Sequence, residues 1–208
     1  AAELGVALVT ADLADAADTR GLVQAAAAAL GGPVEGLVNN ASLFAWDALP
    51  LADYSGLERH MHVNLGAPLL LASAMASQTG LGDGAIVNLL DQKLENPNPD
   101  FLTYTLSKSG LAEATRLLAM ALAPRIRVNA VSPGISLPSL DQSEAEFAAV
   151  ASRNLLERRV DLVDIARTVE HLLTVRSITG QNVFVDCGQR FVRREGDVMF
   201  EGRVRPDG

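Results

Sequence analysis

The stretch GAIVNLLD, residues 84–91, indicates the fold class of this sequence. Its apolar residues follow one another without alternation, which is typical of a strand buried on both faces of a parallel sheet. Similar runs recur, and we predict strands over residues 5–13, 34–42, 84–91, 125–134 and 181–188. Segments with helical spacing lie between them, over residues 17–30, 54–78, 100–123, 143–156 and 162–173. This alternation predicts a single α/β domain with helices on both faces of a parallel sheet.

The composition excludes several classes of function. The 208 residues are 49% hydrophobic, enough for one sizeable core, and they carry a formal net charge of −8. An acidic chain repels phosphate groups, so we expect neither nucleic acid nor an anionic membrane surface as a partner. The single cysteine, Cys187, has no partner for an intramolecular disulfide, and without a Cys/His cluster we expect no metal site. A reducing, cytoplasmic setting fits, and no apolar run reaches the ~20 residues of a membrane span.

Polar residues follow the predicted strands at the point where each strand ends. Asp12 closes the first strand, residues 39–42 (NNAS) follow the second, Asp91 ends the third, and Pro133 and Gly134 end the fourth. In open α/β sheets, ligands bind at the carboxyl ends of the strands. We therefore expect the binding site at this edge of the sheet.

Tyr104 and Lys108 stand four residues apart on a predicted helix, so they share one face. A free tyrosine has a pKa near ~10, and we expect the nearby ammonium to lower it. A tyrosine tuned in this way can pass a proton to a carbonyl or imine as a hydride arrives. A core tyrosine with a solvated lysine one turn later explains the spacing equally well when the pair is taken alone.

Together these residues resemble the short-chain dehydrogenase/reductase family. The resemblance runs in order along nearly the whole chain, through ADL at 11–13, VNNAS at 38–42, HVNLGAP at 62–68, IVNLLD at 86–91, YTLSK at 104–108, RIRVNAVSPG at 125–134 and TGQNVFVDCG at 179–188. It implies a Rossmann-type doubly wound sheet and hydride transfer with a nicotinamide cofactor. It places the catalytic tyrosine and lysine at Tyr104 and Lys108, and the structural and proton-relay asparagine at Asn64.

The resemblance also implies the partners of this chain. We expect a small-molecule substrate, a homotetramer or homodimer, and NADP as cofactor, with NAD not excluded. The residues expected to bind the cofactor are Asp12, Leu13, Asn39, Ala41, Ser42, Tyr104, Lys108, Pro133, Gly134, Ile135 and Ser136.

Asp91 departs from the usual family pattern, which has a serine about thirteen residues before the tyrosine. An aspartate here resembles the pteridine reductase and dihydromonapterin reductase branch. An ionised carboxylate cannot donate to a ketone oxygen, but it suits a substrate rich in N–H donors, or it carries a proton itself if its pKa is raised. We therefore expect a pterin-like C=N substrate, with Tyr104 as proton donor. The residues expected to bind that substrate are Ser42, Phe44, Asp91 and Tyr104.

The sequence allows two roles for the Phe44 side chain. It can stack on a pterin ring, as the resemblance implies, or it can cover the pocket as an ordinary loop residue while Trp46 takes the stacking role.

The glycine-rich turn that opens the family's fold is not found in this sequence. The glycines at 80, 82 and 84 precede a strand instead of following one, which is the wrong context for a phosphate cradle. We expect an N-terminally truncated family domain over residues 1–190 that lacks its first strands, and a charged tail over residues 191–208. We also expect the full-length protein, but not this chain alone, to be active. Two alternatives remain, namely a reductase of an ordinary ketone or 3-oxoacyl substrate and an inactive oligomerising scaffold.

Overall fold

The computed structural model describes residues 5–138 and 142–200, and it confirms the Rossmann-type α/β fold. Within these residues a sheet has the order β1-β2-β3-β4, and every neighbouring pair is parallel. The strands are β1 (Gly36–Asn39), β2 (Gly84–Leu89), β3 (Ile126–Pro133) and β4 (Asn182–Val185). The helices are α1 (Ala16–Leu30), α2 (Ser55–Met61), α3 (Ala67–Ala76), α4 (Leu102–Ala121), α5 (Glu144–Ala151) and α6 (Leu162–Thr174).

Helices cover both faces of the sheet, as the continuous apolar strands predict. Successive side chains of a strand point to opposite faces, so Ile86 packs with Met75 of α3 and Val87 packs with Leu172 of α6. All four of these side chains are fully buried. Each contributes about 1.5–3 kcal/mol of hydrophobic stabilisation, and the two-sided core therefore fixes β2 and β3 in the middle of the sheet.

The strand predicted over residues 5–13 is wrong. Residues 6–12 form no ladder, and Val6 and Leu8 are 57% and 74% exposed. In the described parts of the chain, no strand pairs with this segment or with the outer edge of β1. A cavity of about 450 Å³ lies there, lined by aliphatic side chains such as Val6 and Val38. An apolar pattern indicates which residues tend to be buried, but a strand also needs a neighbouring strand for its backbone hydrogen bonds.

The single helix predicted over residues 54–78 is also wrong in detail. It is interrupted by a π-helical turn, His62–Gly66, in which the Ala67 N–H bonds to the His62 carbonyl. The next residue, Pro68, has no N–H and cannot donate to the Asn64 carbonyl four residues earlier. The missing bond explains the wider turn, and such turns are frequent at functional sites.

Candidate active site

Asp91 and Tyr104 meet at the carboxyl end of β2. The Tyr104 hydroxyl donates to Oδ2 of Asp91 at 2.8 Å. Oδ1 of the same carboxylate accepts from the Lys93 N–H at 2.8 Å and so caps the 3-10 turn that follows the strand. The end of strand β2 therefore positions the Asp91 carboxylate, and helix α4 positions the Tyr104 phenol against it.

Burial shifts the pKa of both groups upward. Removal from water raises the pKa of Asp91 above its ordinary range, more than the Lys93 N–H and Tyr104 hydrogen bonds lower it. Burial, together with the neighbouring Asp91 carboxylate, raises the pKa of Tyr104 well above 10. An Asp91 that holds its proton more tightly than a solvated aspartate can act as an acid closer to neutral pH.

The predicted lowering of the Tyr104 pKa by Lys108 is wrong. The Lys108 Nζ lies 5.8 Å from the Tyr104 ring centroid and donates instead to the Leu89 carbonyl at 2.7 Å. Asp91 is closer to the phenol, so its negative charge and the burial of the ring dominate. Burial also lowers the pKa of Lys108 to about 8.

Asn64 lies in the π-helical turn and fastens the loop after β1 to helix α4. Its Oδ1 accepts from the Leu43 N–H at 2.7 Å and from the Ser42 hydroxyl at 3.2 Å. Its Nδ2 donates to the Leu43 carbonyl at 2.9 Å and to the Ser107 hydroxyl at 3.0 Å. Ser107 in turn donates to the Tyr104 carbonyl at 2.6 Å. Asn64 thus positions the loop with Ser42 against the helix with Tyr104, and the relay role implied by the resemblance stays a prediction.

Phe44 lies directly beside the Asp91–Tyr104 pair. Its ring meets the Tyr104 ring edge-on at 4.8 Å and stacks on Phe101 at 4.1 Å between centroids. It is 40% exposed and lines the pocket that contains Asp91. Trp46 packs against Phe101 and Phe200 and is not among the residues lining that pocket. Of the two aromatic candidates, Phe44 has the position for stacking on a ligand.

This pocket, which we call the Asp91 pocket, has a volume of about 270 Å³. The predicted residues that line it are Phe44, Asp91, Pro133, Gly134, Ile135 and Ser136. Further residues that no sequence pattern indicates also line it, among them Gln92, Lys93, Leu137, Asp197, Val198 and Met199. Lys93 and Asp197 are 104 residues apart, and no spacing rule connects them. The one signal in the sequence is a lysine two residues after the end of the predicted strand 84–91.

A buried network at the start of α4 was also missed. Asp47 accepts from the Thr103 N–H at 3.1 Å and from the Thr103 hydroxyl. Because the Thr103 hydroxyl uses its one proton in the hydrogen bond to Asp47, it acts as the acceptor toward His60, from Nδ1–H at 2.7 Å. Nε2 of His60 accepts from the Ala45 N–H at 3.3 Å, and burial lowers the pKa of His60, in keeping with a neutral ring. The network ties the loop that carries Phe44 to the turn of α4 before Tyr104.

Other predicted cofactor residues lie away from the Asp91 pocket. Leu13, Asn39 and Ala41 line the cavity beside β1. Asp12 is at the turn that opens α1, where its Oδ1 accepts from the Ala14 N–H at 2.9 Å. Asn39 is buried and donates to Asn88 Oδ1 at 2.8 Å, so its side chain joins β1 to β2.

Comparison with known proteins identifies relatives along nearly the whole chain. A family model described as Enoyl-(Acyl carrier protein) reductase matches residues 1–190. The structure of FolM alternative dihydrofolate reductase 1 from Brucella suis in complex with NADP is 45% identical with a TM-score of 0.84. That match covers 89% of this chain and 74% of the Brucella chain.

Two curated proteins extend the comparison. Dihydromonapterin reductase of Klebsiella pneumoniae subsp. pneumoniae is 29% identical over 136 residues, which cover 64% of this chain and 57% of that protein. D-erythrulose reductase of Gallus gallus is 31% identical over 194 residues, which cover 88% of this chain and 76% of that protein. The chain therefore spans little more than half of the Klebsiella protein. The similarity to the Klebsiella and Brucella proteins supports the pteridine-reductase-like branch.

Proposed function

Because this chain belongs to the short-chain dehydrogenase/reductase family, we propose that it is an NADPH-dependent reductase of a pterin-like C=N bond. The observation that carries the proposal is the half-buried Asp91 carboxylate, which is hydrogen-bonded to the Tyr104 phenol beside Phe44. A flat heteroaromatic ring gains from stacking on Phe44, and its C=N nitrogen can accept the proton that the Asp91 carboxyl carries. The similarity to a dihydromonapterin reductase and a FolM protein supports the same substrate class.

The reaction needs one proton, which an acidic side chain at this site donates to the substrate and then regains from solvent. Reduction of a C=N bond adds a hydride to carbon and a proton to nitrogen, and NADPH, when bound, supplies the hydride. The raised pKa of Asp91 keeps a proton on its carboxyl at pH values where a solvated aspartate is ionised. The sequence predicts Tyr104 as the proton donor, but its hydroxyl is directed at Oδ2 of Asp91. In this proposal protonated Asp91 therefore donates the proton to the ring nitrogen, and the Tyr104 hydroxyl stabilises the carboxylate that remains. Solvent then returns the proton to Asp91.

The residues of the Asp91 pocket fit the nicotinamide half of the cofactor. Residues 133–136 line the pocket and offer backbone to a flat amide ring. Tyr104 and Lys108 do not line it, but Tyr104 bonds to Asp91 of the lining, and we assign this pair to the nicotinamide ribose. At Gly134 an added Cβ would lie 2.8 Å from the Asp186 Cα, so only glycine permits this approach of β3 to the segment after β4.

The other half of the cofactor has fewer partners in the described residues. The cavity beside β1 is lined by aliphatic side chains and by Asn39 and Asn40, with no charged side chain among its described lining residues. We assign Asp12, Asn39 and Ala41 to the adenosine and ribose side only. Leu13 stays a predicted cofactor residue, and Ser42 stays a predicted residue for both cofactor and substrate, although it lines neither cavity.

An ordinary carbonyl is the second candidate substrate. It is favoured by the similarity to the D-erythrulose reductase of Gallus gallus, which covers 88% of this chain. In that case Tyr104 donates to the carbonyl oxygen, and Asp91 serves only to hold the phenol.

NADPH oxidation by the full-length protein separates the two candidates. Dihydrobiopterin, dihydrofolate and a 3-oxoacyl thioester are offered in parallel, each with and without enzyme. We expect turnover of the dihydropterins with a kcat/KM at least about 100-fold above that of the thioester. Turnover of the thioester alone would overturn the pterin assignment and leave the carbonyl reductase.

We further propose that copies of this chain associate through helix α4. Leu106, Leu117 and Met120 are 50%, 53% and 68% exposed, and their spacing places them on one side of the helix. Light scattering after size exclusion should give a dimer or tetramer, and Leu117→Lys should shift it toward monomer. A monomeric wild-type protein would contradict the assignment.

A further inference from the structure

The segment from Asp197 to Phe200 folds back onto the active site, although the sequence marks it only as part of a charged tail. Val198–Phe200 form a 3-10 turn. Met199 is buried in one cluster with Phe101 and Tyr104. Phe200 meets Trp46 edge-on at 4.7 Å and stacks on Phe101 at 5.8 Å between ring centroids. The segment therefore packs on the same aromatic side chains that surround the catalytic tyrosine.

A buried ion pair fastens this segment. Nζ of Lys93 lies 3.1 Å from Oδ2 of Asp197 and donates to the Asp100 carbonyl at 2.7 Å. The Lys93 side chain is 4% exposed and that of Asp197 is 16% exposed. The Asp197 N–H donates to Oδ2 of Asp100 at 2.6 Å, and Oδ1 of Asp197 accepts from the Met199 N–H at 3.1 Å. The pair thus joins the turn after β2 to the C-terminal segment.

The segment also forms one wall of the Asp91 pocket. Asp197, Val198 and Met199 line it together with Phe44 and Asp91. Gln92, which lines the same pocket from the turn after β2, has its Oε1 buried without a hydrogen-bond partner. An acceptor left in this state favours a ligand that brings an N–H or O–H donor.

We propose that residues 197–200 are the specificity-determining wall of the substrate pocket, held there by the Lys93–Asp197 pair. Val198 and Met199 limit the size of the substituent that the substrate ring carries, and Gln92 accepts from a donor on the ring. Lys93 and Asp197 are positioning residues, because they act through the segment. The substrate part of this inference rests on the proposed pterin reduction, whereas the docking of the segment does not.

Fluorescence tests the docking without any substrate. Trp46 is the single tryptophan of the 208 residues, and Phe200 packs against it. We expect Lys93→Met and Asp197→Asn to release the segment and shift Trp46 emission to longer wavelength, since the indole gains water contact. Glu195→Gln removes an exposed carboxylate of the same tail and should leave the spectrum at the wild-type position. Wild-type spectra from both pair variants in folded protein would overturn the docking.

Kinetics of Met199→Ala test the specificity. The variant enlarges the pocket, so the ratio of kcat/KM for dihydrofolate to that for dihydrobiopterin should rise about tenfold. Met199→Leu, which keeps the volume, should stay near the wild-type ratio and guards against a folding defect in the alanine variant. An unchanged ratio in folded Met199→Ala overturns the specificity role. If wild-type protein reduces no dihydropterin, the proposed function fails, and the fluorescence result alone decides the docking.

Discussion

The Asp91 pocket and the cavity beside β1 differ in their linings, because charged side chains line the former and none lines the latter among the described residues. The Asp91 pocket is bordered by β2 and β3, each of which is hydrogen-bonded to a neighbour on both edges. The cavity beside β1 is larger, about 450 Å³ against about 270 Å³, and its lining is aliphatic. In the first region every catalytic candidate is held by two or more elements, whereas in the second the segment before α1 lies without a strand partner in the described chain.

The comparison teaches where this fold can hold acid–base chemistry. A buried carboxylate such as Asp91 costs free energy unless its oxygens are hydrogen-bonded. Strand β2 can meet that requirement because β1 and β3 fix its position and α4 delivers the Tyr104 hydroxyl. The outer edge of β1 has no such support among the described residues. The predictions below test this contrast, from the largest expected effect to the smallest.

Removal of the phenol should abolish turnover and leave the fold intact. Tyr104→Phe keeps the ring contact with Phe44 but loses the hydroxyl that bonds Asp91. We expect kcat to fall about 10³-fold, because the Asp91 carboxylate left after proton transfer loses the donor that stabilises it, with an unchanged circular dichroism spectrum. Retained turnover would show that the Tyr104 hydroxyl takes no part in catalysis, whereas a wild-type protein without turnover would favour the scaffold alternative.

The raised pKa of Asp91 should appear in the pH dependence of stability. The folded state binds the Asp91 proton more tightly than the unfolded chain, so stability is lost as pH rises from the unfolded pKa through the raised folded pKa. Asp91→Asn removes this loss, and above that window its melting temperature should exceed the wild-type value by about 2–5 °C.

Thermal melts between pH 3 and pH 8 provide the measurement, with Asp164→Asn on the exposed face of α6 as the control. Asp164→Asn should leave the shape of the wild-type profile unchanged. An Asp91→Asn profile parallel to the wild-type profile would show that Asp91 does not titrate abnormally.

Thr103 should matter more for stability than Thr105, the threonine two residues later in the same helix. Thr103→Val leaves His60 Nδ1–H without its acceptor and weakens the contact with Asp47, at a cost of about 1–3 kcal/mol in the free energy of unfolding. Thr105→Val loses only a bond to the Phe101 carbonyl within its own helix and should cost less than about 0.5 kcal/mol. Urea denaturation measures both, and equal costs would mean that the Asp47–Thr103–His60 network contributes nothing.

A matched pair of valines compares the two regions directly. Val38 and Val87 are register partners in β1 and β2, and they are 40% and 0% exposed. We expect Val87→Thr to cost about 1–3 kcal/mol in unfolding free energy in the 208-residue chain. Val38→Thr should cost less than about 0.5 kcal/mol there. Similar costs at the two positions would show that the cavity beside β1 is closed, which would break the contrast between the regions.

Much of the fold could be predicted from the sequence because each middle strand corresponds to a continuous apolar run. The run at 84–91 becomes β2, and the Tyr104–Lys108 spacing falls on α4 with both side chains facing the site. The segment 5–13 has the same apolar signal and forms no strand, since pairing depends on what lies beside it. Composition and periodicity carry no information about that neighbour.

The rest of the site depends on contacts between distant parts of the chain. The Asp91 position was found because a family pattern lies on it, but its bond to Tyr104 and its raised pKa come from three-dimensional burial. Lys93 and Asp197 meet across 104 residues, and Thr103 meets Asp47 across 56. Contacts between such distant residues produce no periodic pattern in the sequence, so a single sequence does not predict them.

Asp91→Ser in the full-length protein tests the central claim most directly. Serine restores the usual family residue, so it can donate to a carbonyl oxygen but cannot carry a proton to a ring nitrogen at neutral pH. The measurement is the ratio of kcat/KM for dihydrobiopterin to that for a 3-oxoacyl thioester, in the wild-type and variant proteins. We predict that the ratio falls at least about 100-fold, through lost pterin turnover. An unchanged ratio would contradict the assignment of Asp91 as the acid that makes this enzyme a pterin reductase.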